Sequence, residues 1–269
     1  LAALRAAGNA NSTIVTRFLQ LRSALRVMQP EAELGWLASP GGASLRALLP
    51  ARQQQQEPFD SAVLYAWGLD TMREALRRGH PVVRAARYRD GLLFAVLAAV
   101  APRTRTLVAT RIGRHLLRNG GSGFRLAYAA GDVKNGRSLE YPLPTALTPC
   151  VEHYLDAERP RLLGAEGHDW LWVRRGDGQS LRGRDLDSLV RYASKARFGT
   201  AFGPHRFRHA LATTVAKVDR STPGLAAAVL GVSEAVVGAH YNLAKQEHAA
   251  RTLRPKIHEY LEDRKSTRL

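Results

Sequence analysis

At residues 203–214 the chain reads GPHRFRHALATT. Pro204 suits the entry of a helix, where its fixed φ and missing N–H cost nothing. His205 and Arg208 then fall at i and i+3 on one helical face, close to an N-terminus whose free amides and dipole already favour an anion. The pair fits a phosphate clamp. In so basic a chain it also fits a blander arrangement, with His205 capping or packing and Arg208 merely solvated. Its meaning depends on what else the chain carries.

Charge narrows the choice. Forty Lys and Arg against 23 Asp and Glu give the 269 residues a formal charge of +17, spread along the whole chain. That balance favours a polyanionic partner, with nucleic acid the default. An anionic membrane surface would attract the same charge, but the longest apolar run, residues 91–101, is about half of what a spanning helix requires. No signal peptide pattern is visible. The single cysteine, Cys150, rules out an internal disulfide framework, offers no metal cluster and suits a reducing cytosol. Its plain reading is a small buried side chain.

Periodicity makes most of the chain helical. Asn11 or Ser12 is placed to cap a helix through TIVTRFLQLRSALRVM, in which Ile14, Phe18, Leu21, Leu25 and Met28 recur at helical spacing. Pro30 opens a shorter helix over 30–37, and the polar stretch LLPARQQQQEP reads as a linker, which places a domain boundary near residues 50–57. Asp60 is expected to cap a helix ending at Gly79, with Arg77 and Arg78 in its last turn. Further helices are expected over 86–100 and 104–116. FRLAYAA and SLEYPLP then read as two strands around a turn at Asn135 and Gly136. Helices return over 145–158, 181–197, 205–218, 222–230, 233–240 and 246–261, and the tail EDRKSTRL has charge without apolar periodicity. The fold class expected is mainly α with a small antiparallel β-sheet.

The company that the opening pair needs is spread along the chain. VAPRTRTLVATRIG (100–113) puts Arg103 at a helix start, DVKNGRSLEYPLPTAL (132–147) puts Lys134 on the hairpin turn, and AAVLGVSEAVVGAHYN (227–242) carries Tyr241 after a Leu-Gly helix end. The ordered set Arg, Lys, His-x-x-Arg, Tyr on a helical chain with one small sheet resembles the tyrosine recombinase or phage integrase family. RYRDGLLFAVLAAVAPRTRTLVATR (87–111) is similar to that family's first arginine segment, and residues 171–213 follow its run into the H-x-x-R box. The resemblance implies a catalytic domain over 57–269. It also implies that residues 1–50 are part of a helical N-terminal DNA-binding domain whose beginning is missing, in keeping with a start at Leu1.

What the resemblance implies chemically can be stated residue by residue. Tyr241 attacks the scissile phosphate and holds the DNA as a 3′-phosphotyrosine. A phenol with a pKa near 10 needs cations around it to do so. Arg103 and Arg208 grip the non-bridging oxygens, a task for which the planar guanidinium fork is better shaped than lysine. His205 bonds the phosphate or handles the tyrosine proton, and Lys134 protonates the departing 5′-oxygen. Arg105 competes with Arg103 for the first arginine, and family spacing selects Arg103. No metal and no cofactor is implied. The partner is double-stranded DNA, the assembly a homo-oligomer with four protomers on two sites and 246–261 exchanged between protomers, and the location a bacterial-type cytoplasm at the nucleoid.

Two positions depart from the family pattern. Val232 stands after Leu230-Gly231 where histidine or tryptophan usually donates to the phosphate, and valine cannot donate. Thr106 stands where an acidic residue commonly supports the first arginine. Both substitutions weaken transition-state binding. They leave open a catalytically impaired DNA-binding relative, and the same residue set also leaves open a type IB topoisomerase-like activity.

Overall fold

The computed structural model describes residues 1–50, 59–120, 123–133, 136, 138–164 and 167–218. The expectations for Lys134, Asn135, Val232 and Tyr241, for the linker over 51–57, and for helices over 222–230, 233–240 and 246–261 lie outside the described residues. The chain divides into two compact units, Leu1–Glu57 and Pro58–Leu269.

The first unit holds helices α1 (Ala2–Ala6), α2 (Asn11–Met28) and α3 (Leu45–Leu48), with two short 3-10 turns between α2 and α3. Ile14, Val15, Leu45 and Leu49 form a small core, with Leu4, Phe18 and Leu19 packed on it. Two expectations are corrected. Asn11 is not the cap of α2: Ala10 holds that position, and the Asn11 amide donates to the Pro50 carbonyl at 3.0 Å. The helix expected over 30–37 is reduced to one 3-10 turn at Gly35–Leu37. The apolar stripe of α2 is covered only at its start, because the small core touches its first turns. Leu21 is exposed, and Val27 and Met28 stand 82% and 76% exposed at the other end.

The second unit is organised by two helices, α4 (Ser61–Leu76) and α5 (Pro81–Val100). Asp60 caps α4 by accepting from the Ala62 amide at 2.8 Å, and Pro81 opens α5 one turn earlier than periodicity indicates. Nearly every residue of α5 from Tyr88 onward is buried, so the apolar run over 91–101 is a core helix, hydrophobic all round. The two helices cross where Gly68 meets Gly91. A Cβ on Gly91 would lie 2.7 Å from the Gly68 carbonyl and from the Met72 amide, so only glycine permits this approach. Trp67 stacks on Phe94 at 4.1 Å, and Phe202 and Phe207 close around them.

Three strands, β1 (Leu116–Arg118), β2 (Phe124–Tyr128) and β3 (Leu139–Pro142), form an antiparallel sheet in sequence order. Phe124, Leu126 and Tyr128 face inward, and Tyr141 lies opposite Leu126 on the same face. The hairpin expected from FRLAYAA and SLEYPLP is the β2–β3 pair. The helix expected over 104–116 is corrected: α6 spans only Thr104–Val108. Beyond it, Leu171 donates to the Thr110 carbonyl and Ile112 donates to that of Asp169, so Arg111 pairs with Trp170 and the chain turns at Gly113 into β1. Pairing with a segment some sixty residues away overrides local periodicity there. The expected helix over 145–158 is a succession of turns: a 3-10 turn, α7 (Thr148–His153) and a π turn at Tyr154–Glu158. Then come α8 (Gly183–Phe198) and α9 (His205–Val218). Cys150 is half-buried, and burial raises its thiol pKa.

Candidate phosphodiester site

Helix α9 is docked by one face, which decides what its other face can reach. Phe207, Ala210 and Ala212 are buried, with the Phe207 ring 6.2 Å from Trp67 and 6.4 Å from Phe94. Thr214 ties the helix to the start of α4 by accepting from the Ser61 amide at 3.0 Å. With that face committed, His205 and His209 point outward and Arg208 is half-buried between the two environments. The rings of His205 and His209 meet edge to face at 4.5 Å.

The first arginine arrives by a sharp turn. Helix α5 ends at Ala101, whose φ of 40° and ψ of 51° are left-handed, and Arg103 follows as the N-cap residue of α6. A residue before proline ordinarily prefers an extended backbone, and the left-handed region costs an L residue about 1–2 kcal/mol. The turn is held in place: an Arg208 Nη1 donates to the Ala101 carbonyl, joining α9 to the residue two before Arg103. Arg103 is half-buried and Arg105 is exposed. Thr106 is buried one turn further along α6.

The charges of Arg103 and Arg208 act on one another, and both act on Tyr141. Burial lowers the pKa of Arg208, the Arg103 charge lowers it further, and Tyr141 opposes them. Burial raises the Tyr141 pKa, while the charges of Arg208 and then Arg103 pull it back. Arg103 Nη1 and the Tyr141 hydroxyl are both buried without a hydrogen-bond partner among the described residues. Leaving such a group unsatisfied costs about 1–3 kcal/mol. Tyr141 was invisible as a site residue in the sequence, where LEYP shows only strand alternation.

Partial desolvation of its ring, and then the charge of Arg208, lower the pKa of His205 below its ordinary value. The imidazole is therefore neutral at pH 7 and able to accept a proton. An unfolded imidazole takes up its proton first as pH falls, so His205 subtracts stability below about pH 6.5 and adds no pH dependence above it. Thermal melts of wild type and His205→Gln should diverge only in that acid window, the variant being the less acid-sensitive. A phosphate oxygen brought beside His205 should raise its pKa, which an NMR titration with and without duplex DNA reads directly.

Lys134 is not described, but the chain leading to it is anchored. His115 Nδ1 accepts from the Arg111 amide at 3.0 Å, which leaves the proton on Nε2 to donate to Asp132 at 3.2 Å. Arg114 donates to the other Asp132 oxygen at 2.9 Å. Desolvation opposes them, yet these partners hold the Asp132 carboxyl below the usual range. Of the sequence-derived set, then, the structure brings Arg103, His205 and Arg208 together, while Lys134, Val232 and Tyr241 lie outside the described residues. Among the described residues no group of three or more His, Cys, Asp or Glu side chains could hold a metal ion. No helix there is long and apolar enough to cross a membrane.

No family profile matches the chain, and no curated protein sequence matches it. Solved structures do. A crystal structure of XerA recombinase superposes with a TM-score of 0.53 at 16% identity, covering 91% of this chain and 84% of its own. The XerH site-specific recombinase, bound to a palindromic difH substrate in a post-cleavage complex, gives a TM-score of 0.56 at 15% identity, covering 87% of this chain and 71% of its own. The pre-cleavage complex of XerH with difH substrate gives 0.54 at 16%, covering 86% and 68%. At such identities the likeness is one of fold.

Proposed function

We propose that this chain, which has the tyrosine recombinase fold, breaks and rejoins duplex DNA at specific sites through a 3′-phosphotyrosine intermediate. The observation that carries the reading is the bond from Arg208 to the Ala101 carbonyl, two residues before Arg103, which brings the two charges near enough to act on one another, with His205 exposed three residues before Arg208 on the same helix. Two cations brought together at a half-buried place repel each other unless an anion joins them, and a non-bridging pair of phosphate oxygens fits the two planar forks.

In this reading the Tyr241 oxygen forms a bond to phosphorus while the bond from phosphorus to the 5′-oxygen breaks. The phenolic proton passes to the His205 imidazole, and Lys134 gives a proton to the departing 5′-oxygen. Arg103 and Arg208 neutralise the pentavalent phosphorane. The reverse step, with a 5′-hydroxyl as nucleophile, rejoins a strand and returns both protons. The anchored Asp132 and His115 steady the residues that lead to Lys134. Duplex DNA is the partner that a charge of +17 fits. A homo-oligomer of four protomers on two duplexes, working in the cytoplasm at the nucleoid, is the assembly that goes with strand exchange.

The test uses a pool of 5′-labelled duplexes, nicked next to a randomised segment so that rejoining is blocked by loss of the short downstream fragment. Wild-type protein should retain label through denaturing electrophoresis, and Tyr241→Phe should lose it entirely. Adduct persisting in Tyr241→Phe refutes the nucleophile. Salt-sensitive binding with no adduct from wild type leaves a DNA-binding protein without chemistry. Relaxation of supercoiled plasmid lacking any selected site points to topoisomerase-like action instead.

A further inference from the structure

Tyr141 lies on β3 opposite Leu126, 5% exposed, on the face of the sheet that packs into the core. A phenylalanine would fill that place without a polar atom to satisfy. Instead the hydroxyl is buried with no partner among the described residues, and so is Nη1 of Arg103. A buried polar atom without a partner calls for an explanation, and two of them under the same pair of charges are explained together by one bound anion. The two belong to one neighbourhood, since the charges of Arg208 and Arg103 both act on the Tyr141 hydroxyl. One anion with several acceptor oxygens satisfies a guanidinium N–H and a phenol O–H together.

The tyrosine oxygen is suited to donating and not to attacking. Burial raises its pKa, so the phenol stays protonated at neutral pH. Its proton is thereby available to an oxyanion, a role that the valine at 232 has no atom to perform.

We propose that the Tyr141 hydroxyl is a further catalytic donor, hydrogen-bonding a non-bridging oxygen of the scissile phosphate beside Arg103 and Arg208. The inference rests on the strand-transfer reading above and adds a third oxyanion donor to it. No proton is transferred: the hydrogen bond strengthens as negative charge builds on the phosphorane.

Tyr141→Phe removes only the oxygen. Single-turnover adduct formation on the nicked duplexes selected from the pool should fall about a hundredfold, the loss typical of one oxyanion donor. The dissociation constant for intact duplex should stay within threefold, and thermal stability should be unchanged or higher. A purely structural role is separated by substrates with a methylphosphonate at the scissile position, in which one non-bridging oxygen is a methyl group. In the stereoisomer that lacks the oxygen contacted by Tyr141 the penalty of Tyr141→Phe should vanish, and in the other it should persist. A variant that forms adduct at the wild-type rate overturns the inference, as does an equal penalty in both stereoisomers. Either result leaves a Tyr241-dependent adduct, and with it the strand-transfer reading, in place. Wild-type protein that forms no such adduct overturns both.

Discussion

Replacing Arg208 by alanine is expected to lower the rate of covalent adduct formation by about a thousandfold or more, at the upper end of what one oxyanion donor contributes. Two effects add. The guanidinium is lost from the phosphate, and its bond to the Ala101 carbonyl is lost with it. That carbonyl belongs to the left-handed turn from which Arg103 starts α6, so the second clamp is loosened by removal of the first. Arg208→Lys should recover little, because an ammonium offers no planar fork to hold two oxygens and the carbonyl in one geometry. Duplex binding should weaken far less than cleavage, since one phosphate contact among many sets the affinity. Single-turnover cleavage and equilibrium binding on the same nicked duplex separate the two. Cleavage within tenfold of wild type in Arg208→Ala refutes the two-arginine clamp.

Gly91→Ala should be strongly damaging for a single-methyl change. The added carbon would meet the Gly68 carbonyl and the Met72 amide at 2.7 Å. Both are backbone atoms of α4, so no side-chain rotation relieves the clash and the helices must part. Overpacking ordinarily costs about 1–3 kcal/mol, and a backbone clash belongs at or above the top of that range. At roughly 2–4 °C per kcal/mol for a unit of this size, the melting temperature should drop by about 6–12 °C. Gly79→Ala provides the control, since a Cβ there meets nothing within 4 Å; its change should stay within about 0.5 kcal/mol. Equal melting temperatures for the two variants would show that the α4–α5 crossing yields more readily than its backbone contacts imply.

Much of the fold was legible in residue order because it is local. The spacing over 205–218 matches α9, Asp60 caps α4 as its position suggests, and alternation in FRLAYAA and SLEYPLP marks β2 and β3. Two of the misreadings share one cause. TLVATRIGRHLL has helical spacing, yet Thr110 to Ile112 pair with residues 169–171, and a third strand follows Gly113. The stripe on α2 has helical spacing too, yet Leu21, Val27 and Met28 are exposed because the small core of that unit covers only the first turns. Periodicity reports which side chains could share a face, and it is silent on whether anything lies against that face.

The candidate site divides in the same way. The sequence by itself determined the excess of positive charge, the helix whose first turns carry His205 and Arg208, and the helix start that carries Arg103. Only the tertiary structure decided that Arg208 reaches the Ala101 carbonyl, 107 residues earlier in the chain, and that the charges of both arginines act on a core-facing tyrosine of β3. The physical reason is the range of the interactions. Helix spacing and capping depend on neighbours within about four residues. The convergence of charges depends on how separate elements pack, through contacts such as Phe207 against Trp67 and Phe94, and no local pattern records which elements will meet.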